Sequence, residues 1–142
     1  MLHVLIHMDR HASRATSEQI AQMLGTNAVV VRRTMAGLRK HGYVQSEKGH
    51  GGGWMLARPL AQITLLNVHQ ALGNPPVFAI GVASERPECL VEQAVNAAIG
   101  SAMREAEETL LKRFGEITLA DLARDFDERF QITDATWKSH GF

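Results

Sequence analysis

Four basic side chains, Arg32, Arg33, Arg39 and Lys40, lie close together in the first third of the chain. They fall around the apolar residues Val31, Met35 and Leu38, which are spaced i, i+4, i+7. That spacing puts the three apolar side chains on one helical face and turns Arg32 and Arg33 outward. An arginine guanidinium can pair bidentately with guanine O6 and N7, or with a phosphate. Arg32 and Arg33 stand near the start of this segment, the end that enters the major groove in a helix-turn-helix. Arg39 and Lys40 stand one or two turns later, where phosphate contact is expected. The competing reading is a solvated basic face.

Other residues invite chemistry less strongly. The cluster Gly49–Gly53 lacks the spacing of a phosphate-binding loop, and no helix follows it, so it reads as a hairpin tip. Lys48 and His50 at that tip could touch the minor groove or backbone, or the glycines could carry no contact at all. His3, His7 and His11 recur every fourth residue, a spacing that can bind a metal, but no HExxH motif or cysteine accompanies them; packing or solvated histidines are expected. Cys89 begins a helix, which favours a thiolate, while Glu88 and Glu92 oppose it; redox sensing and an inert cysteine both stay open. No catalytic triad, carboxylate pair or dinucleotide fingerprint is present, so nothing points to an enzyme.

The elements that position these residues follow from periodicity and punctuation. Leu2, Leu5, Ile6 and Met8 suggest a short amphipathic helix over 2–11. Ser17 is a candidate N-cap for a helix burying Ile20, Ala21 and Leu24 and closed by Gly25. Thr26 or Asn27 caps the next helix, about Ala28–His41, which Gly42 ends. Tyr43–Lys48 and Trp54–Arg58 read as two strands around the glycine tip. Thr64 caps a helix through Leu72. Residues 73–88, with GNPP and ERP, form a linker. A long helix from Cys89 to Phe114 follows, with the stripe Val91, Val95, Ala98, Ala102, Ala106, Leu110 and Phe114, whose small members allow another helix to approach closely. Gly115 stops it, Thr118 and Asp121 resemble a capping box for a last helix, Leu119–Phe130, and a loose tail ends the chain at 131–142.

Charge supports this division. Residues 1–60 carry eight basic and three acidic side chains, and residues 61–142 carry seven and twelve, although the whole chain is neutral. A basic half joined to an acidic half suggests a polyanion-binding module with an appendage. No apolar run approaches the roughly 18 residues that span a bilayer. The first residues are too few and too polar for a signal peptide, and a single cysteine excludes an internal disulfide, so the cytoplasm is the expected compartment.

Residues 17–58 thus read as helix, tight turn, basic helix and glycine-tipped hairpin, the layout of a winged helix-turn-helix. The expected fold is mainly α with a small β-hairpin wing: a DNA-binding domain over 1–72, a linker over 73–88 and a helical dimerisation region over 89–130. The segments LRKHGYV, KGHGGGW and ARPLAQITL resemble the Rrf-two family of bacterial transcription regulators, with similarity over about residues 2–126. The resemblance implies a homodimer on a partly palindromic operator, with the long helix crossing to the partner. It implies base reading by Asn27, Val29, Val30, Arg32 and Arg33 and minor-groove entry by Lys48. Several members carry an acidic or polar residue in place of Arg32, so a different operator is expected. Residues and resemblance together give the DNA-facing set Ser17, Thr26, Asn27, Val29, Val30, Arg32, Arg33, Arg39, Lys40, Lys48 and His50.

Two departures qualify the resemblance. Cluster-binding members have three cysteines in the linker region; with Cys89 alone, no iron–sulfur cofactor is expected, and ERPECLVEQAVNAAI resembles the cluster-free branch. Members also usually begin about ten residues earlier, which implies a shortened first helix or a start upstream of Met1. The expected function is a dimeric DNA-binding regulator, a repressor, responsive to oxidation of Cys89 or to a small effector held between Phe78, Ile80 and the long helix. The alternative is an interaction adaptor that kept the fold and lost DNA binding.

Overall fold

The computed structural model describes residues 1–11, 14–78 and 89–139, with side chains to Arg129. The chain orders itself as α1 (Leu2–His11), α2 (Ser17–Leu24), α3 (Ala28–Lys40), β1 (Val44–Glu47), β2 (Gly53–Leu56), a 3-10 turn (Leu60–Gln62), α4 (Leu65–Ala71), α5 (Leu90–Glu116) and α6 (Leu119–Ser139). Residues 79–88 of the expected linker, including Ile80, lie outside the described residues.

Helix α1 buries Val4, Leu5 and Met8, while Leu2 and Ile6 are only half-buried, so its inner face is rotated from the expected one. Helix α2 is capped by Thr16, not Ser17. The Thr16 hydroxyl accepts from the Gln19 N–H, and the Gln19 side chain accepts from the Thr16 N–H. Ser17 is not available as the cap because it is buried and its hydroxyl is engaged by Trp54. Gly25 closes α2 in the left-handed conformation. Asn27 then caps α3, its Oδ1 accepting from the N–H groups of Val29 and Val30 at 3.0 Å each. Val31, Met35 and Leu38 are buried as their spacing requires.

Glycine inside α3 would ordinarily weaken it. At Gly37 packing supplies the reason: a Cβ there would stand 2.3 Å from the Ala71 carbonyl oxygen, so only glycine lets the end of α4 approach α3. The hairpin is antiparallel, with Val44 opposite Leu56 and Glu47 opposite Gly53. Both strands are shorter than expected, chiefly at the ends away from the tip, and the positive φ angles of Gly49 (98°) and Gly51 (78°) form the turn between them. Ala15 bridges Trp54 through two hydrogen bonds, N–H to carbonyl in each direction, at 3.0 and 2.9 Å, which adds a third short strand segment to the wing.

The core draws Leu5, Ile20, Met35, Leu38, Ile63 and Leu119 from five parts of the chain, each with no exposed surface. Leu119, expected in the dimerisation region, therefore belongs to the core of the winged helix. Its N–H donates to the Ile63 carbonyl at 2.8 Å, and the Leu65 N–H donates to the Ile117 carbonyl at 2.9 Å. That pairing of 63–65 with 117–119 ends α5, so Gly115 sits inside the last turn rather than stopping it. Thr118 and Asp121 do form the expected cap of α6. Helix α6 runs to Ser139, nine residues beyond the expected Phe130, since ITDATWKS contains neither proline nor glycine to break it. The expected loose tail is thus helical through 139. Arg10 joins α1 to α6 by pairing with Asp127 and lying 4.4 Å over the Phe126 ring.

Candidate nucleic-acid interface

The helix-turn-helix presents one continuous outer surface. With its three apolar residues buried, α3 exposes Val29 (68%), Val30 (49%), Arg32 and Arg33 over its first turns. Thr26 and Asn27 are exposed in the turn before it, and Lys40 at its far end. The Asn27 carboxamide oxygen is committed to the cap, so this residue fixes the direction in which α3 leaves the turn. Exposed branched methyl groups beside two arginines can meet a thymine methyl and guanine acceptors respectively.

The wing stands beside this surface with Lys48 and His50 exposed at its tip. Three contacts set its position. The Trp54 Nε1–H donates to Ser17 Oγ at 3.0 Å, joining β2 to α2. Arg39 donates from Nη1 to Ser46 Oγ at 3.2 Å, with its guanidinium 5.9 Å from the Trp54 ring, joining α3 to β1. Arg14 pairs with Glu47 at 2.7 Å and donates to the Gly51 carbonyl at 3.4 Å, tying the tip to the segment before α2. Ser17 and Arg39, both expected to face DNA, are thus found at the joint between helix and wing.

Arg14, Glu18 and Glu47 were not anticipated. Glu18 pairs with Arg32 at 3.2 Å across the helix-turn-helix. The partners lie 14 residues apart for Glu18 and Arg32 and 37 apart for Arg14 and Gly51. Linear spacing carries no trace of the second; the first follows only once α2 and α3 are recognised as packed neighbours.

Helix α5 is the other conspicuous surface. None of its 27 residues is buried, although Leu90, Val91, Val95 and Ile99 are large and apolar and exposed by 78, 71, 48 and 45%. Ala98, Ala102 and Ala106 are exposed and Leu110 half-buried on the same helix. A hollow of about 290 Å³ lies between Phe78 and Ile99, Ala102, Met103 and Ala106, beside the linker residue named from sequence. Cys89 precedes α5 and is exposed. The backbone N–H groups of Glu92 and Val91 lower its thiol pKa, although no formal side-chain cap forms. His3 and His7 lie edge to face at 5.0 Å on α1 and line a second hollow with Ile6, Arg10 and Phe126; the His11 side chain lies outside the described ones. Among the described residues, no three metal-ligating side chains come together.

A sequence model of one family, described as "Iron-dependent Transcriptional regulator", matches residues 1–125: Rrf2, the Rrf-two family. The chain belongs to the Rrf2 family. The fold is that of a winged helix-turn-helix regulator, and Rrf2 members are DNA-binding transcriptional regulators rather than enzymes. The chain is similar to YwnA, an inferred HTH-type transcriptional regulator of Bacillus subtilis (strain 168), with 29% identity over 118 residues, 83% of this chain and 86% of that protein. A transcriptional regulator of Lactobacillus plantarum, so assigned by inference, superposes with a TM-score of 0.74 over 97% of this chain and 94% of its own, at 23% identity. CymR, the global cysteine regulator of B. subtilis, superposes with a TM-score of 0.54 over 85% and 88%, at 22% identity. These two structures speak for the fold. No helix of the described residues is long and apolar enough to cross a membrane.

Proposed function

We propose that the protein is a homodimeric, sequence-specific repressor of the Rrf2 family that acts in the cytoplasm. The observation that carries this reading is the outer face of α3, where Val29, Val30, Arg32 and Arg33 are exposed together at the groove-entering end of the second helix. These four side chains, placed by the Asn27 cap, read base edges; Thr26, Lys40, Lys48 and His50 contact the backbone or the minor groove. Ser17 and Arg39 act indirectly, by holding the wing against the helices.

Dimerisation is supported by α5. A 27-residue helix with no buried side chain and a row of apolar ones is a surface that demands cover. A second copy of the same helix, seated along Val91, Val95, Ala98, Ala102, Ala106 and Leu110, supplies it, and small alanines allow the close approach. A twofold dimer would present two recognition helices to a palindromic site. The signal acts on the same helix. Cys89 oxidation or a small apolar effector in the hollow beside Phe78 would shift the angle between the two wings and so the population competent for DNA. The lowered thiol pKa supports the first route and the hollow supports the second.

The test is a gel-shift titration against the upstream region of the protein's own gene, with reduced and peroxide-treated samples in parallel. Specific binding by the reduced protein supports the regulator. Its loss on oxidation, absent in Cys89→Ser, supports the thiol route; insensitivity to peroxide points to the effector. Absence of specific binding would sink the reading in favour of an interaction adaptor.

A further inference from the structure

We infer that Glu18 is a selectivity-determining residue for DNA binding, acting through its ion pair with Arg32. The inference rests on the DNA-binding reading and adds to it a residue that reads no base itself.

Residues 1–60 contain only three acidic side chains, Asp9, Glu18 and Glu47, against eight basic ones. Two of the three lie in the helix-turn-helix and wing, and each pairs with an arginine from a different element: Glu18 with Arg32 at 3.2 Å and Glu47 with Arg14 at 2.7 Å. The Glu47 pair anchors the wing. The Glu18 pair has no comparable structural duty. Both of its side chains are more than half exposed, at 65% for Glu18 and 55% for Arg32, where an ion pair contributes little to folding.

Its position gives it another role. Glu18 stands in the first turn of α2, the helix that crosses the phosphate backbone when α3 enters the groove. A carboxylate there repels phosphates, while its attraction for Arg32 lowers the net positive charge that α3 offers to any duplex. Nonspecific affinity arises almost entirely from phosphate neutralisation and so falls. A matching site restores the balance. Glu18 takes the Nη1 end of the guanidinium, and a guanine at the right step offers two acceptors to the rest of a fork that carries five donors. Arg32 then gains from the correct base and not from an arbitrary phosphate. This is discrimination by a repulsive element, raised against the competing partner rather than built toward the preferred one.

The experiment measures Kd by fluorescence anisotropy, over a range of salt concentrations, for the upstream duplex of the protein's own gene, taken as the operator, and for a scrambled duplex of equal length. Wild type, Glu18→Gln, Arg32→Ala, the double variant and Asp9→Asn are compared. Glu18→Gln is expected to bind scrambled DNA more tightly, with a log–log salt slope steeper by about 0.9, one phosphate equivalent. Operator affinity should change less than about twofold, so the operator-to-scrambled ratio falls about fivefold or more, the lower end of what one bidentate base contact discriminates. In the Arg32→Ala background the Glu18 change should leave the ratio unaltered. Asp9→Asn, which removes the same charge from the exposed face of α1 and spares both ion pairs, should keep the ratio of wild type. An unchanged ratio in Glu18→Gln overturns the inference. So does an equal fall in Asp9→Asn, which would make net charge the cause. Failure of wild type to bind either duplex overturns the DNA-binding reading itself, and is distinguishable from both.

Discussion

The Trp54 indole N–H donates to the Ser17 hydroxyl at 3.0 Å, and this bond, inside the molecule, joins the wing to the helix-turn-helix. Both residues are at least nine-tenths buried, Ser17 at 8% exposure and Trp54 at 8%. Removing the hydroxyl leaves a buried indole donor with no acceptor, at a cost of about 1–3 kcal/mol. Ser17→Ala should therefore lower stability in urea by that amount, and much less in a Trp54→Phe background, where no donor remains. Equal losses in both backgrounds would contradict the bond.

Gly37→Ala sets two effects against each other. Alanine improves an ordinary helix interior by about 1 kcal/mol. At Gly37 the new methyl meets the Ala71 carbonyl at 2.3 Å, a clash with backbone that cannot rotate away. Overpacking of this kind costs about 1–3 kcal/mol, so a net loss of thermal stability is expected, and a rise in Tm would refute the close approach.

Leu119 and Val95 separate folding from assembly. Leu119 is fully buried in the core of the winged helix. Leu119→Ala should cost about 2–5 kcal/mol of stability. Val95 is half-exposed on α5. Val95→Glu should leave the fold of each chain intact and shift sedimentation from dimer toward monomer. Val95→Glu sedimenting as wild type would remove this face from the interface.

Acid stability should respond to Asp121. Its pKa is lowered to about 2, chiefly by the Thr118 hydroxyl and N–H and then by Arg124. The folded value lies below the unfolded value of about 3.9, so the carboxylate stabilises fully above roughly pH 4 and progressively loses that effect as pH falls toward 2. The stability gap between wild type and Asp121→Asn should be present at pH 7 and close across that window. A gap independent of pH would mean that the charge has no part in the cap.

Much of this architecture is legible in the residues. Val31, Met35 and Leu38 give the inner face of α3, and therefore its outer face, because their i, i+4, i+7 spacing is helical rather than alternating. Gly25, Asn27 and Thr64 mark their helix boundaries by chemistry that acts within three residues. What sequence could not show depends on partners far along the chain. Ser17 reads as the cap by its residue type, and only the need of Trp54 for an acceptor takes it out of that role and leaves the cap to Thr16. Arg39 looks like any basic residue of a DNA-facing helix until Ser46 and the Trp54 ring stand beside it. Gly115 reads as a helix stop, yet the stop is made by residues 63–65 pairing with 117–119. Glu18 carries no signal of its own, since its meaning comes from Arg32 on the next helix.

The exposed start of α3 is the surface proposed to read DNA sequence. The most direct test is anisotropy titration of wild type and Arg33→Ala against the upstream duplex of the protein's own gene and single-base variants of it. Wild type should bind tightly, with an affinity that falls as salt rises. Arg33→Ala should lose discrimination at one base position of each half-site, by about 1–3 kcal/mol. Arg33→Ala binding every variant with the preferences of wild type would contradict that role for α3.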